Sequence, residues 1–356
     1  METFLKIRLE SHLLNNYAFS SPEEIVKHFW CMQAQDIPQA LWAVGSRIEH
    51  PKKELIRNAL VEWKIIRSWP MRWTIHFVNP KNIHWMLELC ASKTLPWFAK
   101  RRAFLWISDK DAEKALSVMR ERLHWWRALT RKELWNVLKE SWIMMQTQWT
   151  YHLACYAATR WLICFWPPTD KEETFVLLDE WAPKKDELSP DEQLYELAKM
   201  YVTWHWPATA EDLAWWCWLW MTQCRKAISL IRDECEVLTH NLKEYLYYPT
   251  ANHNTPKDEV RLLWWFDEYF LWYKDRRPVA DIVHHPELFT INWIFFPLVI
   301  RWWMVIWSWK RTFTKNKVSI NISILEWYEL KREDVEVECR RYADFYDLDE
   351  YSIQIL

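Results

Sequence analysis

The chain has 356 residues, with 46 lysines and arginines against 48 aspartates and glutamates and a net charge of -2 at pH 7. That balance excludes a bulk basic surface for nucleic acid or for an anionic membrane, so any such binding must come from local patches; the length allows two to four compact units. Eight cysteines without a CxxC pair read as reduced thiols of a cytosolic protein, and Met1 to Leu14 lacks the continuous apolar run of a signal peptide.

The first unit spans 1–110. Leu5 to Leu14 is a short predicted helix. Ser21-Pro22-Glu23-Glu24 opens a second with a capping hydroxyl, a proline in the first turn and acids at the positive end of the dipole. Ile25, Phe29 and Met32 keep helical spacing, and Pro38 biases Ile37 toward an extended backbone, so this helix is expected to run from Pro22 to Met32 and end near Gln33-Ala34-Gln35-Asp36. If the backbone is extended there, Gln33 and Gln35 project to one side. Two neutral amides can then orient a water or face a developing positive charge; the alternative is a pair of solvated loop residues. Gln39–Ile48 and Lys53–Glu62 are further helices, and Ile65 to Val78 reads as two strands joined by a tight turn, which together suggest a winged helix. Asn79-Pro80 starts a helix through Leu89. Arg101 and Arg102 are candidates for phosphate contact or simply a solvated basic face.

The second unit, 111–188, holds helices at Asp109–Arg122, from Leu129 with a Thr130-to-Glu133 capping box, and at Tyr151–Trp161, then short strands at 162–165 and 174–178. The third, 189–256, has helices at Gln193–Thr203, after Thr209 and at Cys224–Arg232, then strands at Val237-Leu238 and Tyr245–Tyr247. Three similar units in tandem suggest an array of winged helices. The last unit, 257–356, reads as β-rich and barrel-like, with strands at 260–263, 295–300, 304–309 and 317–324 and a closing helix at Glu333–Phe345. The fold class is therefore α+β. Ile291 to Trp309 mimics a membrane span, but Arg301, Pro297 and its short length argue for a hairpin.

One composition value lies far outside the ordinary range: a single glycine, Gly45, and 31 tryptophans. At ~7 % usage a chain of this length carries about 25 glycines, which roughly accounts for the excess tryptophan. Trp206-Pro207, Trp218 and Trp302-Trp303 sit where turns want a residue free to take φ > 0. We read many of these tryptophans as standing in for glycine, through a codon translated under a different genetic code or by design.

Four motifs occur in order along nearly the whole chain: Gln33-Ala34-Gln35-Asp36; Trp69-Pro70-Met71-Arg72-Trp73-Thr74-Ile75-His76; His205-Trp206-Pro207-Ala208-Thr209 with Asp212-Leu213-Ala214-Trp215-Trp216; and Leu262-Leu263-Trp264-Trp265-Phe266-Asp267-Glu268-Tyr269 with Tyr273-Lys274-Asp275-Arg276. Together they resemble the AlkZ/YcaQ-type winged-helix DNA glycosylases. Trp73, Trp206, Trp265 and Trp272 fall where that family has glycine. The resemblance implies three winged helices on a β-barrel, and a catalytic Gln-apolar-Gln element, here Gln33 and Gln35, as in the AlkZ-like branch. It implies monofunctional hydrolysis of the N-glycosidic bond of N7-alkylated purines, bulky adducts or interstrand crosslinks included. The implied partner is double-stranded DNA carrying alkylated bases, met by a cytoplasmic, nucleoid-associated monomer without membrane contact.

Arg72, Thr74 and His76 alternate in sequence, and on a strand they share one face. That face either meets DNA, with Arg72 on phosphate, or forms a buried polar network under the wing. Lys274 and Arg276, with Asp267 and Asp275, match a barrel motif whose role is DNA contact or internal ion pairing. His152 and His284-His285 show no ligand spacing, so neither metal nor cofactor is expected. Cys31 has no histidine partner in sight and reads as a packing residue. A non-catalytic winged-helix regulator that binds DNA is the alternative function, and it needs neither glutamine.

Overall fold

The computed structural model describes residues 2–14, 17–141, 148–169, 172–184, 187–240, 242–248, 258–280 and 296–356. Helix α1 (Glu2–Ser11) is followed by α2 (Pro22–Phe29), whose Ser21 hydroxyl accepts the Glu24 N–H at 3.4 Å. The expected continuation of α2 to Met32 is not observed. Trp30 takes φ 59°, which ends the helix, and Cys31–Gln33 becomes strand β1. Asp36 caps α3 (Ile37–Gly45), and α4 (Lys53–Val61) leads into β2 (Ile66–Met71) and β3 (Thr74–Val78). The turn between β2 and β3 is two residues, Arg72 and Trp73, both with positive φ (59° and 62°). That pair of φ signs belongs to the type I′ hairpin turn, which normally takes asparagine and glycine.

Helix α5 runs from Ile83 to Phe104, well past Leu89 and through Pro96. Then come α6 (Asp109–Leu123), β4 (Leu129–Thr130), α7 (Arg131–Glu140) with the expected Thr130/Glu133 capping box, α8 (Trp149–Thr159), β5 (Ile163–Thr169), β6 (Glu172–Leu177) and α9 (Leu178–Trp181). Ser189/Glu192 and Thr209/Asp212 boxes open α10 (Pro190–Trp204) and α11 (Ala210–Cys217). They precede α12 (Met221–Ile231) and the strands β7 (Glu236–His240) and β8 (Lys243–Tyr247). The last elements are β9 (Val260–Leu263), α13 (Glu268–Leu271), β10 (Leu298–Arg301), β11 (Met304–Phe313), β12 (Lys317–Ile324), α14 (Arg332–Phe345) and β13 (Glu350–Ile355).

The hairpins of the first two units merge into one six-stranded sheet, ordered β1-β3-β2-β5-β6-β4 and joined at Arg67↔Phe165; β7 and β8 pair only with each other. The last sheet is ordered β13-β12-β11-β10-β9. It does not close into a barrel among the described residues, which corrects the barrel-like expectation. Helix α14 packs on this open sheet. Val335, Cys339, Tyr342 and Ala343 of α14 share a core with Val318, Ile320 and Ile322 of β12. β13, which follows the helix expected to close the chain, adds in parallel at the β12 edge. The Ile291–Trp309 segment forms β10 and part of β11 where it is described, and no described helix is long and apolar enough to cross a membrane.

Fourteen described residues other than glycine have positive φ, and ten are tryptophans: 30, 63, 73, 106, 125, 126, 161, 218, 302 and 307. Trp218 and Trp302 are among them as expected; Trp206 and Trp303 are not. Several of the ten have little packing to gain, with Trp106 84 % and Trp125 77 % exposed.

Candidate active site

β1 is an edge strand three residues long. Its register on β3 sets Gln33 opposite His76, and the Ala34 N–H donates to the Ile75 carbonyl at 2.7 Å. The Ala34 carbonyl accepts from Arg67 Nε at 3.0 Å, and the buried Arg67 guanidinium is paired with Glu173 at 2.8 Å. The backbone between the two glutamines is thus held on both sides, and Arg67 is a residue that the sequence reading missed.

Gln33 and Gln35 differ in surroundings. Gln35 is exposed, and its Oε1 accepts the Ile75 N–H at 3.2 Å, the place a strand carbonyl would occupy. The Tyr151 phenol also hydrogen-bonds with Gln35, while burial raises its pKa. Gln33 is 8 % exposed. Its backbone N–H points away from β3 and donates to Glu268 Oε1 at 3.1 Å; among the described residues no hydrogen bond engages its carboxamide. Asp36 serves the helix instead, its Oδ1 accepting the Gln39 N–H at 3.3 Å. Tyr151 also lines a cavity of about 450 Å³, together with Trp73, Phe98, Arg101 and His152 among others.

Behind Gln33 three motifs meet. Glu268 Oε2 lies 3.2 Å from His205 Nε2, both side chains 1 % exposed. Burial pushes the Glu268 carboxyl up to about 8 and the His205 imidazole down to about 3, so at neutral pH both are held uncharged. The neighbouring Asp267 caps α13 and makes a fully buried two-pronged ion pair with Arg47, at 2.7 and 2.9 Å. Asp212, the third residue of α11 and part of its Thr209 capping box, also accepts the Lys274 backbone N–H at 2.9 Å. Cys31 is fully buried, and burial drives its thiol well above the ordinary range, which fits packing and not nucleophilic attack.

The family model described as DNA glycosylase AlkZ-like matches residues 26–345. The chain belongs to the AlkZ-like DNA glycosylase family. Among solved structures, the Streptomyces sahachiroi DNA glycosylase AlkZ is similar over 100 % of this chain and 99 % of that one, with a TM-score of 0.82 at 20 % identity. The two share a fold. Compared with curated protein sequences, the chain matches none.

Within this AlkZ-like glycosylase the residues considered for DNA contact fall into two groups. Arg101 reaches the cavity and donates to Gln148 at 2.8 Å, and the Lys274 side chain is exposed. The others are wholly or partly enclosed. Arg102 is buried, paired with Asp109 at 2.8 Å and seated over Tyr156. Arg276 is buried with its guanidinium on the Phe270 and Leu271 carbonyls at the end of α13. His76 is fully buried, its Nδ1 2.9 Å from the Thr74 carbonyl, and burial lowers its pKa to about 3.

Arg72 does not share a strand face with Thr74 and His76, because it lies in the turn and β3 begins at Thr74. Its guanidinium sits 4.3 Å from the Trp272 ring centre, and burial lowers its pKa to about 10. The Thr74 hydroxyl is enclosed as well. The ion pairing considered for Asp267 is present, with Arg47 as partner, and Asp275 pairs with Arg277 at 2.5 Å. His152 lines the cavity, and burial lowers its pKa to about 4. His284-His285 lies outside the described residues.

Proposed function

We propose that this DNA glycosylase hydrolyses the N-glycosidic bond of N7-alkylated purines in duplex DNA, bulky adducts and crosslinks included, with Gln33 and Gln35 as its catalytic pair. Alkylation at N7 puts a positive charge on the base, so the leaving group needs little protonation. The sugar then carries an oxocarbenium-like charge in the transition state. An amide oxygen fixed in advance stabilises such a charge without reorganising at the moment of reaction. The observation that carries the proposal is the Gln35 carboxamide: exposed, linked through Tyr151 to a cavity of about 450 Å³, with its oxygen fixed by the Ile75 N–H. One lone pair of that oxygen remains for a water or the sugar.

The three helix-and-hairpin units 1–110, 111–188 and 189–256 are read as winged helices that present this edge to DNA. Arg101 and Lys274 supply phosphate contacts, and His76, Arg102 and Arg276 support the frame. The reaction calls for no cofactor, metal or Schiff base, and the protein acts as a monomer.

A duplex oligonucleotide carrying one N7-methylguanine tests the proposal. The expected result is release of the free base, reduced at least 100-fold in Gln33→Ala/Gln35→Ala while DNA affinity holds. Unchanged release from the double variant would assign the chemistry to other residues. Salt-dependent DNA binding with no base release from any alkylated substrate would favour the non-catalytic winged-helix reading.

A further inference from the structure

We infer that Glu268 is a positioning residue for Gln33, acting through a buried hydrogen-bonded chain that runs from His205 through the Glu268 carboxyl to the Gln33 backbone N–H. This inference rests on the catalytic reading of Gln33. The need for such a residue follows from the strand. An edge strand leaves every second N–H without a partner, and a buried N–H cannot be left unmet without cost. Just after β1 the Ala34 N–H is taken by Ile75, and within it the Gln33 N–H is on the far side from β3. Glu268, 235 residues away in sequence, closes that side at 3.1 Å.

The surroundings of the carboxyl are themselves held in place. Asp267, one residue earlier, is locked by Arg47. His205 Nε2 lies 3.2 Å from Oε2. The His205 ring is stacked on Tyr201, with centroids 4.6 Å apart and planes 11° from parallel. Every member is set on or beside a helix cap or strand from a different part of the chain, which is how a site is held to small tolerances. None of the three linked residues is a tryptophan.

The protonation states agree with the geometry. A neutral carboxyl presents one oxygen as an acceptor to the Gln33 N–H and donates its O–H to Nε2 of a neutral imidazole. A glutamine side chain offers the same acceptor and donor in the same places. An aspartate keeps the carboxyl but is shorter by one methylene, so it withdraws from Gln33.

The test compares Glu268→Gln with Glu268→Asp in the full-length chain, using single-turnover release of N7-methylguanine at saturating duplex. DNA affinity and melting temperature are measured alongside. The expected result is that E268Q excises within threefold of the parent. E268D excises at least tenfold more slowly, with DNA affinity within twofold. A charge-bearing role gives the opposite ranking, because it favours the shorter carboxylate over the neutral amide, and a purely structural role shows instead as rate, melting temperature and DNA affinity falling together in E268D. E268D at the parental rate, or loss of rate only in step with loss of DNA affinity, overturns the inference. The Gln33→Ala/Gln35→Ala variant run in parallel separates the two claims. If it is inactive while E268D is not, only the positioning role falls; if it is fully active, the catalytic reading itself falls.

Discussion

Changing tryptophan to glycine should stabilise this protein at some positions and damage it at others, with the sign set by φ. Trp106 follows α5 at φ 58° with 84 % of its surface exposed. An L-residue in the left-handed region costs about 1–2 kcal/mol, and a helix commonly ends on glycine in this conformation. With so little packing to lose, Trp106→Gly is expected to gain ~1 kcal/mol, or about 2 °C in melting temperature for a chain of this size. Trp42 is the control. It lies inside α3, is fully buried, and donates its indole N–H to the Leu262 carbonyl at 2.7 Å. Emptying that site costs ~3–5 kcal/mol, plus about 1 for glycine in a helix.

The same arithmetic applied to the nine tryptophans with φ between 56° and 66°, leaving out Trp307 at 146°, gives a strain of roughly 9–18 kcal/mol, comparable to the entire stability of a typical domain, ~5–15 kcal/mol. The tenfold glycine replacement should therefore melt cooperatively and at a markedly higher temperature than the parent chain. The coding DNA gives an independent check. Under the recoding explanation Trp42 is encoded by TGG, and the ten are encoded by a codon that the host reads as glycine. Thermal denaturation in which Trp106→Gly destabilises as much as Trp42→Gly, or TGG codons at all eleven sites in a natural gene, would refute the recoding explanation.

Acid should unfold the protein early. Burial lowers the pKa values of His28, His76 and His205 to about 3, and that of His152 to about 4. Unfolding below pH ~6.5 therefore takes up protons, and stability falls as pH drops toward 5; a melting temperature flat from pH 7 to 5 would contradict this. Glu268 works in the other direction. Its folded pKa of about 8 lies above the unfolded value, so its contribution is fully present below pH ~4 and is lost as pH rises to about 8. E268Q should thus gain stability over the parent steadily between pH 5 and 8, as denaturant titrations at the two ends would read. Gly45→Ala should destabilise despite the better helix former: a Cβ there would lie 2.7 Å from Phe345 Cε2. Overpacking of about 1–3 kcal/mol outweighs a propensity gain of about 1, and a denaturant midpoint equal to or above the parent's would show that the ring can move.

What the sequence made legible was the local chemistry. The box at Thr130/Glu133, the helix start at Thr209 and the hairpin at 66–78 are each written within a few residues, and each is present. The misses have physical causes. β1 was hidden because Ile25, Phe29 and Met32 keep helical spacing across it. The break depends on φ 59° at Trp30, a conformation that tryptophan does not announce. The same substitution obscured the turn at Arg72-Trp73, so Arg72 was placed on a strand with His76. β13 was missed because its apolar residues alternate over only six positions beyond an apparent closing helix.

The contacts that hold the candidate site were invisible for another reason: sequence order carries no distance. Gln33 and Glu268, Arg47 and Asp267, and Asp212 and Lys274 are 235, 220 and 62 residues apart. Each pair joins two motifs, or a motif and a neighbouring helix, that read as separate along the chain. Most of these motif side chains are buried at those joints, while Gln35 is exposed. The motifs that carry the resemblance therefore describe a support more than a surface. A three-residue edge strand such as β1 is paired on one side only, so two carboxamides on it or beside it keep a fixed aim only if distant parts of the chain hold it from behind. In that respect the motifs around His205 and Glu268 and the Gln-Ala-Gln element form one device.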